Sequence, residues 1–176
     1  ISENYIENEK IGKLIMKFSI PCVIAMVVNA LYSTVDQIFI GHGVGYIGNA
    51  ATNVTFPFVV LALGFSLLLG DGAAAFYSIK LGEKNKEHGA RAIGNAIVLL
   101  VILGLIFLAV GYIFMDKLLW SFGATINNVS IALDYMRIIL IGLPFMILAA
   151  GLNSIIRADG SPEYSMLAMI IGAVIN

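Results

Sequence analysis

Long apolar segments, separated by short polar ones, run through the whole chain and predict helices that span a membrane. Four of them extend over about 14–40, 49–79, 92–115 and 131–156, and a last one starts at Tyr164. Since a helix rises about 1.5 Å per residue, each of the first four can cross a hydrocarbon core roughly 30 Å thick. The last is too short to cross. We therefore expect an all-α, polytopic transmembrane helix bundle with four complete spans and a truncated fifth.

The first span places its polar residues on one side. At about 100° per residue, one side carries Cys22, Asn29, Tyr32, Ser33 and Asp36. The other side, which we interpret as facing lipid, carries Ile24, Val27, Leu31, Val35 and Ile38. A carboxylate at membrane depth is costly unless it meets water or a partner, so Asp36 indicates an ion or substrate site. The alternative is that Asp36 only bonds a neighbouring helix.

A proline and a group of glycines indicate two further features of the backbone. Pro21 removes one helical hydrogen bond and predicts a bending point in the first span. Gly43, Gly45 and Gly48 match the spacing of a dinucleotide-binding loop. That fingerprint requires a short strand before it, and the preceding apolar segment is far too long, so we reject a nucleotide site.

The polar connections are predicted as loops at 41–48, 80–91, 116–130 and 157–163. Lysine and arginine favour the cytoplasmic side of a membrane. Those that fall on one predicted side are Lys10, Lys13, Lys17, Lys80, Lys84, Lys86, Arg91 and Arg157. We therefore expect a cytoplasmic amino terminus, with 1–13 as a cytoplasmic or interfacial lead-in and 14–176 as an incomplete amino-terminal transmembrane lobe.

Composition supports a membrane protein and excludes other classes. The 176 residues are 60% hydrophobic and only 12% charged, whereas soluble domains carry roughly 25% charged residues. The net charge is −1, and no basic patch with interleaved aromatic residues indicates a nucleic-acid partner. We find no metal-ligand cluster, phosphate loop or nucleophile–base arrangement, so we expect neither an enzyme nor a cofactor.

Three stretches resemble the multidrug and toxic compound extrusion (MATE) family of transporters. They are PCVIAMVVNALYSTVDQIFIGHGVG at 21–45, LGFSLLLGDGAAAFYSIKLGEKNKE at 63–87 and LNSIIRADGSPEYSM at 152–166. Family members have twelve helices in two lobes, so this chain resembles most of the first lobe. The resemblance implies export of cationic, often aromatic compounds across the plasma membrane, in a bacterium the inner membrane. It also implies exchange for H⁺ or Na⁺ by alternating access.

The resemblance also implies roles for individual residues. In the branch with an acidic residue in its first helix, Asp36 is the titrating carboxylate and Pro21 the bending point. Polar groups near the cavity fall at Tyr32, Tyr135, Asn153 and Asn176. If the coupling ion is Na⁺, Asp36 and Asn176 are its ligands. The implied partners are small cationic substrates, the lipid bilayer and the carboxy-terminal lobe of the same polypeptide.

Two alternatives remain open at this point. One is a flippase of related fold for a lipid-linked oligosaccharide or polysaccharide, whose anionic cargo would favour a more cationic cavity than these spans offer. The other is a structural membrane subunit, in which Asp36 only joins helices.

Overall fold

The structure is a computed structural model that describes residues 11–175, without the side chains of residues 17 and 18. Six helices follow one another, and short turns connect them. They are α1 (Ile11–Gly43), α2 (Tyr46–Gly82), α3 (Lys86–Ile113), α4 (Met115–Ser121), α5 (Val129–Ala158) and α6 (Pro162–Ile175). Four of these, α1, α2, α3 and α5, are long and apolar enough to cross a membrane. The predicted all-α transmembrane bundle is confirmed.

The core lies between α2, α3 and α5, which pack mainly against one another. Its fully buried side chains include Leu100 of α3 and Leu140, Leu143 and Ile147 of α5. Small residues bring the helices close, as is usual where helices pack inside a membrane. A Cβ at Gly70 of α2 would lie only 2.7 Å from the Cα of Gly151 in α5. The three helices therefore form one tightly packed unit.

The helix α1 lies apart from that unit and packs chiefly against α6. It contacts α2 much less, although the two are neighbours in the chain. Successive spans alternate in direction, so α1 and α6 run parallel. Pro21 lies buried inside α1, which continues as a helix on both sides of it. Its role as a bending point stays a prediction.

The predicted loops were wrong in extent, because most of their residues are helical. The polar stretch 80–91 contains only three residues outside a helix, at 83–85. Ion pairs one turn apart support the two helix ends there: Lys80 contacts Glu83, and Arg91 contacts Glu87, each at 2.6 Å. Pairs at this spacing stabilise helices. Hydrophilic composition therefore marks helix ends here rather than an irregular loop.

The predicted loop at 116–130 also contains a helix that the sequence pattern did not predict. In α4, Met115 and Leu119 are buried in the hydrophobic core. Asn128 directly precedes α5, and its side-chain oxygen accepts a hydrogen bond from the Thr125 backbone amide at 2.8 Å. This segment therefore packs over one end of the three-helix unit.

The glycine-rich stretch at 41–48 is a tight turn between two helices. Only Val44 and Gly45 separate α1 from α2, and Gly45 has φ of 78°, a conformation that glycine adopts at little cost. A helix precedes Gly43, so the strand that a dinucleotide site requires is not there. The predicted lead-in at 1–13 lies mainly outside the described residues, and its boundary stays a prediction.

Candidate functional site

A groove of about 350 Å³ runs between α1 and α6. Its lining is mostly apolar, with one carboxylate and one phenol. The residues that line it are Val28, Leu31, Tyr32, Val35, Asp36, Phe39, Ala173 and Val174. Asp36 is the only charged residue among them, so the groove combines an apolar wall with a single anionic group.

Asp36 and Tyr32 lie one helical turn apart on α1, and both are half-buried. The Tyr32 hydroxyl lies close enough to the Asp36 carboxylate to interact with it. Residues four positions apart share a helix face, and this spacing explains why the two side chains meet. The pair predicted from the sequence therefore does lie at one site.

Tyr135 approaches the same pair from α5. It lies near enough to Asp36 and to Tyr32 for electrostatic interaction with both. Since α5 belongs to the three-helix unit, Tyr135 is the predicted site residue that connects this unit to the Tyr32–Asp36 pair. Three of the predicted site residues thus converge on one position between α1, α5 and α6.

A second recess, of about 260 Å³, lies beside the groove along the contact between α1 and α6. Its lining is formed by Asn29, Tyr32, Met169, Gly172 and Ala173. Tyr32 and Ala173 line both spaces. Because α1 and α6 run parallel, the lower residue numbers on both helices place this second recess nearer their amino-terminal ends than Asp36.

Two predicted site residues lie elsewhere or cannot be described. Asn153 is about 27 Å along α5 from Tyr135, and its side-chain oxygen accepts a hydrogen bond from the Ser165 hydroxyl of α6. The structure therefore does not bring Asn153 to Asp36. Asn176 lies outside the described residues, so its predicted part in a Na⁺ site stays a prediction.

Two residues that were interpreted from the sequence as facing lipid also border the groove. Leu31 and Val35 are exposed, and both line the groove beside Asp36. The groove is wider than one polar stripe, because α6 covers only part of the α1 surface. Ala173 and Val174 of α6 were not predicted, since no local pattern reveals which distant helix packs on α1.

The carboxylate of Asp71 has a different environment from that of Asp36. It lies on α2, is largely exposed, and has Arg157 of α5 within 3.8 Å. Arg157 also donates a hydrogen bond to the Ser154 hydroxyl at 3.0 Å. Arg157 therefore supplies a countercharge to Asp71 outside the groove.

These features define a polytopic membrane protein with a carboxylate in an apolar groove between its helices. The MatE family model matches residues 21–176. The chain therefore belongs to the MatE family, and the resemblance seen in its sequence is confirmed.

Curated relatives and a solved structure agree with this assignment. "Multidrug export protein MepA" of Staphylococcus aureus (strain MRSA252) is 28% identical over 98% of this chain and 38% of its own length. "Probable multidrug resistance protein YoeA" of Bacillus subtilis (strain 168) is 25% identical over 90% of this chain and 34% of its own length. The solved structure of the MATE multidrug transporter DinF-BH superposes with a TM-score of 0.90 at 36% identity. The match covers 95% of this chain and 37% of that protein.

The chain therefore spans little more than a third of the length of the relatives it matches. Its described helices correspond to the first lobe of the MATE fold. The activity of the whole protein is accordingly a matter for proposal.

Proposed function

We propose that the full-length protein is a secondary active antiporter that exports cationic, often aromatic drugs in exchange for H⁺ or Na⁺. The observation that carries this proposal is the half-buried Asp36 carboxylate in the apolar groove between α1 and α6. An apolar wall suits the aromatic part of such a drug, and the carboxylate suits its positive charge.

Exchange follows if the drug and the coupling ion compete for Asp36. The ionised carboxylate attracts a cationic drug, and binding of H⁺ or Na⁺ neutralises the carboxylate and weakens the hold on the drug. Two ligands that exclude each other at one site give antiport when that site opens alternately to the two sides of the membrane. Tyr32 lies one helical turn from Asp36 and interacts with its carboxylate, so it is positioned to contact a ligand held there.

The charge of the groove favours a cationic cargo over the anionic cargo of a flippase. Among the groove-lining residues Asp36 is charged and none is basic. An anionic pyrophosphate or sugar acid would meet an unfavourable carboxylate and no compensating cation there. A purely structural role for Asp36 would not require an open groove beside it.

The proposal includes an orientation and a location. Lys80, Lys84, Lys86 and Arg157 lie at the ends of helices on one side of the bundle, and the positive-inside rule places that side in the cytoplasm. The amino terminus is then cytoplasmic, and the turn at Gly45 faces outward. Because the relatives are bacterial, we place the protein in a bacterial plasma membrane.

The remaining parts of the transporter lie beyond the groove. The carboxy-terminal lobe of the same polypeptide supplies the second half of the cavity. Pro21, about 22 Å along α1 from Asp36, lets that helix bend as access alternates. Asn153 acts through its hydrogen bond to Ser165, which holds α6 against α5. If Na⁺ is the coupling ion, Asn176 ligates it together with Asp36.

The experiment is ion-driven drug efflux by the full-length protein in membrane vesicles. Asp36→Asn keeps the size of the side chain but cannot titrate, so we expect insertion and folding to persist while ion-driven efflux is lost. Asp71→Asn is the matched control, because Asp71 lies outside the groove beside Arg157. The proposal is wrong if Asp36→Asn transports like the wild type and Asp71→Asn does not.

A further inference from the structure

Two recesses adjoin each other between α1 and α6. Tyr32 of α1 and Ala173 of α6 each line both the Asp36 groove and the second recess. Both residues are half-buried. Tyr32 and Ala173 therefore lie at the border between the two spaces.

The two recesses differ in the chemistry they offer. The Asp36 groove carries the one negative charge. Among the described residues, none that lines the second recess is charged; its lining includes the amide residue Asn29 together with Met169 and Gly172. Thioethers make favourable contacts with aromatic rings. A Cβ at Gly172 would meet nothing within 4 Å, so open space adjoins this position.

We propose that the second recess binds the distal aromatic part of a cargo whose positive charge lies at Asp36, with Tyr32 and Ala173 between the two parts. Asn29 and Asp36 are seven residues apart on α1, or about 10 Å along the helix. A cation with one ring reaches only the Asp36 groove. A cation with two rings in line extends past Tyr32 into the second recess.

This assignment rests on the proposed function, because it places the same cationic cargo at Asp36. It adds that the site prefers a cargo with two aromatic rings in line. Gly172 becomes the residue that sets the length of cargo the site accepts. A large side chain at 172 fills the second recess and leaves the Asp36 groove open, since Gly172 does not line that groove.

The test measures equilibrium binding of two quaternary ammonium probes to the purified full-length protein in lipid nanodiscs. Benzyltrimethylammonium carries one ring, and its biphenylmethyl analogue carries the same charged head and two rings. We expect Gly172→Leu to raise the dissociation constant of the two-ring probe by about tenfold or more, because its second aromatic ring loses its buried surface. The dissociation constant of the one-ring probe should change by less than about twofold.

Ala168→Leu is the matched control, since it adds a leucine to the same helix at an exposed position that does not line either space. Gly172→Val is a second variant, to be used if the leucine variant does not fold. Its side chain is smaller, so we expect a smaller loss of affinity for the two-ring probe. The inference is overturned if Gly172→Leu binds the two-ring probe as well as Ala168→Leu does. Equal weakening of both probes, with an unchanged unfolding midpoint, overturns it too.

One further variant separates this inference from the proposed function. Asp36→Asn should weaken both probes, because they share the charged head. If Asp36→Asn weakens the binding of neither probe while Gly172→Leu still weakens only the two-ring probe, the second recess is supported and the proposed role of Asp36 is wrong. If Asp36→Asn weakens the binding of both probes and Gly172→Leu affects both probes alike, the role of Asp36 is supported and the proposed use of the second recess is wrong.

Discussion

Replacing Gly70 by alanine tests the close contact between α2 and α5 that holds the three-helix unit together. A Cβ at this position would lie 2.7 Å from the Gly151 Cα and equally close to its carbonyl oxygen, whereas ordinary contact starts at 3.4 Å. The two helices must therefore separate by about 0.7 Å. The obstacle is backbone, so no side-chain rotation can relieve it.

The expected cost follows from comparison with a glycine nearby on the same helix. Gly72 has nothing within 4 Å of a built Cβ, so Gly72→Ala gains only helix propensity, about 0.5–1 kcal/mol. Gly70→Ala gains the same and loses about 1–3 kcal/mol to overpacking. The propensity gain cancels in the comparison. The difference between the two variants is therefore about 1–3 kcal/mol in the free energy of unfolding.

The assay is the thermal unfolding midpoint of the purified full-length protein, with both variants in the same detergent. We expect Gly70→Ala to unfold about 1–3 °C below Gly72→Ala, because each kcal/mol shifts the midpoint of a protein of this length by about one degree. Separation of α2 from α5 also lengthens the hydrogen bond that the Ser66 hydroxyl donates to the Ile147 carbonyl, now 2.6 Å, and this adds to the loss. Equal midpoints for the two variants would refute the packing that we describe.

Two other predictions concern topology and completeness. In a Cys22→Ser background, single cysteines at the exposed positions Val44 and Ile126 should react with an impermeant reagent added to whole cells, and one at the exposed Lys84 should not. Labelling at position 84 but not at position 44 would reverse the proposed orientation. Residues 1–176 alone, reconstituted in vesicles, should show no coupled efflux, because they span only 38% of MepA; robust exchange of drug for cation by this segment would contradict a two-lobe cavity.

The helices could be predicted from the sequence because membrane spans depend on local composition and length. The pattern located most ends of the four long helices to within a few residues. It failed where polar residues continue a helix beyond the apolar segment, as at Lys80–Glu83, where an ion pair supports the last turn. It also missed α4, a helix of only seven residues between two long spans, although its Met115 and Leu119 are buried.

The candidate site was predictable only in the part that lies on one helix. Tyr32 and Asp36 are four residues apart, so their meeting follows from helix geometry alone. The packing of α6 on α1 is a contact between distant parts of the chain, and no local pattern contains it. Ala173 and Val174, the α6 residues that line the groove, could therefore not be found from the sequence.

The central claim is that a cationic drug and the coupling ion compete for Asp36. It is tested most directly by adding a cationic drug to the purified full-length protein in weakly buffered solution and measuring the H⁺ or Na⁺ released. The account predicts release of up to one ion per drug bound by the wild type and by Asp71→Asn, and none by Asp36→Asn. Undiminished ion release by Asp36→Asn on drug binding would contradict it.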